Sequence, residues 1–99
     1  MADYDLPDDL LQLKVDFLAA SAACERIANR IPSHVAVLAM EAEPEPELQA
    51  ELEAERGRRL DIVMQIHRHD WWATVDNRQK ADMALLAAAK EAFEARQES

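Results

Sequence analysis

The sequence predicts an all-α fold, a three-helix bundle with an additional short helical segment, and three observations support this. Core-type residues Leu10, Leu13, Phe17, Ala20, Cys24, Ile27 and Ile31 recur at alternating spacings of 3 and 4, which aligns them on one face of a helix. Helix formers dominate, with 19 Ala against a single Gly. The prolines Pro7, Pro32, Pro44 and Pro46 fall between periodic segments rather than inside them.

The first helix is expected over about residues 8–31, after a tail at 1–7. Pro7 suits a helix start, and the carboxylates of Asp8 and Asp9 favour the positive end of the helix dipole. Pro32 disfavours helical geometry at Ile31. The apolar seam is about 30 Å long and must be covered by another helix. A second apolar strip, Leu11, Val15, Leu18 and Ala22, is set apart from it by Lys14, Ser21 and Glu25. Two strips need two partners. The helix is therefore either sandwiched inside its own fold or packed internally on one side and against a second copy on the other. On the second option Leu11, Val15, Leu18 and Ala22 are the self-association candidates, and a homodimer is expected.

Residues 33–42 form the short segment. Its periodicity does not separate helix from strand, but a lone strand would find no partner, so a short helix capped by Ser33 is favoured. Glu-Pro-Glu-Pro within residues 41–47 marks an extended, solvated break. The second long helix is expected over about 46–70. Leu48 and Leu52 hold its polar first half, and Leu60, Ile62, Val63, Met64 and Ile66 crowd its second. Gly57, between the halves, marks a bend or a close approach. The third long helix is expected over about 76–97, with Asp76 and Gln79 as a variant capping box. Met83, Leu86 and Phe93 form one strip on it, and Ala81, Ala84, Ala88, Ala92 and Ala95 form a neighbouring strip of small residues. Residues 8–97 then make one compact helical domain, a size that can bury a core without covalent staples.

Charge narrows the function classes. A net charge of −9 weighs against direct nucleic-acid binding and against anionic membranes, since phosphate contacts need clustered Lys and Arg. One cysteine permits no internal disulfide, and Met1–Asp9 carries four Asp and no basic residue, the opposite of a secretory leader. No apolar run approaches the ~18 residues that span a bilayer. A cytoplasmic protein is expected, and the Ala- and Arg-rich composition suits a bacterial or phage source.

Functional side chains concentrate in His67-Arg68-His69-Asp70-Trp71-Trp72. His67 and His69 point to opposite sides of a helix and cannot share an ion there. His67 with Asp70 has i,i+3 spacing but leaves a zinc site short, with only His34, His69 and Cys24 to complete it. Asp70 could instead orient His67 as an acid-base dyad, and adding Cys24 outlines a Cys-His-Asp triad. Cys24, however, occupies a seam position where it acts as a small hydrophobe, and no Gly-rich turn supplies an oxyanion donor. No enzyme, metal or cofactor is therefore expected. Trp71 and Trp72 either cap the end of the bundle or, with Arg68 and His69, form a partner-binding spot, since Trp beside Arg dominates interface energetics.

Glu41, Glu43, Glu45, Glu47, Glu51, Glu53 and Glu55 place seven carboxylates in fifteen residues with no basic residue among them. Arg56, Arg58 and Arg59 follow and are expected to pair with them. The run is a solvated face or a docking surface for a basic protein, as in an inhibitor, an antitoxin or a DNA mimic, with Glu47, Glu51 and Glu55 as its candidate contacts. The expected function is a small acidic protein-interaction or regulatory module without catalytic activity. Its expected partners are proteins, with no direct contact to nucleic acid or membrane.

Overall fold

The computed structural model describes residues 4–40 and 42–98. It is helical, with no strand among the described residues, and runs α1 (Asp8–Arg30), α2 (His34–Leu38), α3 (Pro46–His67), a 3-10 turn (Asp70–Thr74) and α4 (Arg78–Glu98). The helix starts follow from local chemistry. Pro7 accepts the Leu11 N–H at 3.0 Å, with Asp8 and Asp9 in the first turn of α1. Ser33 Oγ caps α2 by accepting from the Ala36 N–H at 3.0 Å. Pro46 takes the first position of α3, where its missing N–H costs nothing. Asn77, not Asp76, caps α4, its Oδ1 accepting from the Lys80 N–H at 3.0 Å, so that helix starts two residues later than expected.

α1 is the spine. α3 and α4 each pack on it and make little contact with one another. Chain direction alternates: Leu10 near the start of α1 clusters with Ile62 and Ile66 near the end of α3, and Cys24 and Ile27 cluster with Leu52 near its start. The compact bundle expected from the sequence does not form. The radius of gyration is 17.5 Å and the longest axis 55 Å, against about 13 Å for the radius of a compact domain this size. α3 and α4 share one buried cluster with α1 near the 3-10 turn but make little backbone contact with each other.

Both strips of α1 are used within the chain. Leu10, Ala20, Cys24 and Ile27 of the main seam are buried, and Val15 of the second strip is only 3% exposed. Leu18 and Ala22 share a shallow depression with Phe93 of α4. The α4 face that meets the core is Ala81, Leu85 and Ala89, all fully buried, one turn apart and alternating small with large. That corrects the expected strips, which missed Leu85 and Ala89 and included Met83, 65% exposed. Leu60, expected in the core, also faces out. Gly57 marks no close approach, because a side chain placed there would meet open space.

Candidate functional site

The tryptophan turn is built by the way α3 ends. The helix stops at His67, three residues short of expectation, because the backbone turns extended at His69. Four last-turn carbonyls of any helix lack internal partners. One of them, Ile66 O, is taken by the Trp72 indole N–H at 2.7 Å, which draws the ring inward. Trp72 is 9% exposed and belongs to the main core with Leu10, Ile66 and Leu85. Trp71 is half-buried, stacked edge-on between Tyr4 at 6.1 Å and Trp72 at 5.1 Å. The indoles thus plug the end of the structure. Arg68 remains exposed beside them.

The histidines take unexpected partners. His69 Nε2 lies 2.9 Å from Asp9 Oδ2, tying the turn to the first residues of α1 across 60 positions of sequence. Its Nδ1 accepts the Trp71 N–H at 3.1 Å, so the neutral ring carries its hydrogen on Nε2 and donates it to Asp9. The hydrogen bond from His69 holds the Asp9 carboxyl below its ordinary value. His67 faces neither Asp70 nor Cys24. Its Nδ1 accepts from Arg78 Nη2 at 3.1 Å, and the Arg78 guanidinium lies 4.7 Å over the Trp72 ring. Asp70 sits in the 3-10 turn, off the α3 face that would have paired it with His67.

The outlined triad is not assembled. Cys24 is buried beside Leu52, and His67 lies fifteen residues farther along α3, about 22 Å of helix. Among the described residues, no group of three or more His, Cys, Asp or Glu is placed to hold a metal ion. No helix among them is long and apolar enough to cross a membrane.

At the opposite end, helical period divides the acidic run. Glu51 and Glu55, one turn apart, line a depression with Arg26 and Arg30 of α1, so this pair faces cations of its own chain. Glu55 is half-buried, with one carboxyl oxygen enclosed and without a hydrogen-bond partner, 3.9 Å from Arg58 Nη1. Glu53 pairs with Arg56 at 3.2 Å. These are the neighbourly pairings expected for the arginines. Glu43, Glu45 and Glu47 are exposed; Glu41 lies outside the described residues. Immediately before them α2 stands outside both buried clusters, with Val35 74%, Leu38 70% and Met40 91% exposed. Met40 follows the helix with φ 60°, the left-handed region, which a non-glycine residue occupies at a cost of about 1 kcal/mol.

Two functional residues escaped sequence reasoning. Asp9 carried no signal, because its partner is distant in sequence. Arg78 did carry one: a cation in the first turn of a helix opposes the dipole, and its placement over Trp72 explains why it is there.

Residues 9–97 match the family model described as a domain of unknown function, DUF8825, and the chain belongs to that family. No curated protein and no solved structure matches the chain.

Proposed function

We propose that this chain is a non-catalytic protein-interaction module that docks a basic, amphipathic segment of another protein on α2 and the glutamates that follow it. The observation that carries the reading is the adjacency of exposed Val35, Leu38 and Met40 to exposed Glu43, Glu45 and Glu47, with no Lys or Arg between Arg30 and Arg56. Apolar anchors supply affinity, and the surrounding carboxylates select a basic partner and speed its approach. An inhibitor or antitoxin-like decoy that occupies a nucleic-acid-binding surface is one form of this activity. Burial of Trp72 and Val15 turns attention from the tryptophan turn and from the second strip of α1 toward this arm. Leu11, Leu18 and Ala22 of that strip are half-buried.

The test is titration of the full chain with a fluorescent synthetic helical peptide carrying Leu on one face and Lys on the other. Affinity should fall about tenfold or more between about 50 and 300 mM salt. It should fall similarly for the double variant Val35→Ser/Leu38→Ser and for Glu43, Glu45 and Glu47 each changed to Lys. Affinity indifferent to both sets of changes sinks the proposal. Light scattering run alongside addresses the other occupant: a salt-stable dimer dispersed by the Val35→Ser/Leu38→Ser variant gives this face to a second copy.

A further inference from the structure

A cleft of about 390 Å³ lies beside the tryptophan turn, lined by residues of all three long helices and by Trp72. All three long helices send nitrogen-bearing side chains to it: Lys14 from α1, His67 from α3, and Arg78 and Gln79 from α4. Its wall is apolar, formed in part by Val63 and by an edge of the Trp72 ring. This combination is the opposite of the molecule's average, which carries 20 acidic against 11 basic residues.

Among the described residues, neither permanent cation of the cleft has a carboxylate partner. Lys14 Nζ lies 4.9 Å over the Phe17 ring, and Arg78 lies over Trp72 and donates to His67. Asp82 lines the same cleft, one helical turn after Arg78. An i,i+4 pair between them would be the ordinary outcome, yet the guanidinium is held on the ring and imidazole instead. Cations stacked on aromatic faces retain unused N–H donors. The volume lies in the range of pockets that take small organic molecules and is far below what a docked helix needs.

We propose that this cleft is a binding site for a small organic anion, a carboxylate on an aromatic or aliphatic body. The carboxylate accepts from Lys14 and Arg78, and the body rests against Val63 and the Trp72 edge. Asp82, on the same lining, repels the anion. The site is separate from the α2 arm and stands or falls without it.

The probe is 4-phenylbutyrate, titrated into the full chain and followed at the Trp72 indole N–H by proton–nitrogen NMR. A saturating shift of that resonance is expected. The neutral analogue 4-phenylbutanol should bind about tenfold more weakly, one charge-assisted contact being worth about that factor. Lys14→Met and Arg78→Met should each cost a similar factor while keeping an apolar stem, and Asp82→Asn should tighten binding. Should Arg78→Met unfold the chain, Lys14→Met decides, because the ammonium it removes lies over the Phe17 ring and in no ion pair among the described residues. The proposal is overturned by the absence of a saturating Trp72 shift at about 10 mM probe, by equal affinity for acid and alcohol, or by a Lys14→Met variant that binds as the parent does.

Discussion

The two ends of this molecule use similar residues for opposite ends. At the tryptophan turn, Leu10, Leu85 and Trp72 interlock with Ile62 and Ile66 in a cluster to which all three long helices contribute. At the other end Cys24, Ile27 and Leu52 are buried together, with Ile31 at their edge, and of α2 Val35 and Leu38 are exposed while Ala36 and Val37 are half-buried. Burial requires a second surface. Around the turn α1, α3 and α4 all converge, whereas beyond Leu52 there is only α1 against α3, so α2 has nothing to cover it. One end is therefore a core, and the other leaves Val35, Leu38 and Met40 exposed.

The largest effects should come from the turn. Leu85→Ala removes a fully buried side chain and should cost about 2–5 kcal/mol, and Trp72→Ala about 3–5 kcal/mol. Trp72→Ala also leaves Ile66 O without the indole N–H that it accepts. Urea unfolding monitored by circular dichroism checks both. Leu52→Ala, in the smaller and more open cluster, should fall at the low end of the range, about 2 kcal/mol. A Leu52→Ala variant as damaging as Leu85→Ala would break the contrast between the ends.

Much of this contrast was legible in the sequence, and the rest was hidden for identifiable reasons. The seam from Leu10 to Ile31 and the strip at Val15 were visible because α1 alternates apolar and polar faces cleanly. So was the short capped helix after Pro32, since Ser33 stands three residues before the N–H that it accepts. The face of α4 was not. Alanine occurs on every side of that helix, so a helical wheel gives no reason to choose Ala81, Leu85 and Ala89 over Ala84, Ala88 and Ala92. The elongated shape was also hidden, because periodicity tells how many faces a helix buries and nothing about whether its neighbours touch each other. Among the candidate contacts, Glu47 and Glu51 are exposed and Glu55 is half-buried, with Glu51 and Glu55 lining a depression beside Arg26 and Arg30. The i,i+4 spacing puts all three on one face of α3, but what that face meets along its length depends on packing.

Smaller effects should come from the arm. Met40→Gly removes about 1 kcal/mol of left-handed backbone cost and adds about 0.5 kcal/mol of chain entropy to the unfolded state, for a net gain of about 0.5 kcal/mol. Val35→Ser and Leu38→Ser, made at exposed positions, should each change stability by less than about 0.5 kcal/mol. A larger loss in either would mean that α2 is held by the fold, and the docking role would lose its surface. Amide exchange should agree, with α2 opening far more often than residues 62–66 and 81–89.

The smallest expected effect concerns the tie between Asp9 and His69, which anchors the start of α1 to the turn. Its hydrogen bond holds the Asp9 carboxyl below the ordinary 3.8. A carboxyl depressed in the folded state contributes stability that is present above the unfolded value and lost as pH falls through the folded one. The tie therefore works at neutral pH and is released only in acid below about 3.8. The carboxyl carbon shift of Asp9, followed by NMR, should titrate below 3.8 in the parent chain and return toward it in His69→Ala. An unchanged midpoint in the variant would mean that the depression comes from the other groups at the start of α1, the Leu10 N–H that Asp9 accepts at 2.9 Å among them, and that the turn is held by its buried indole alone.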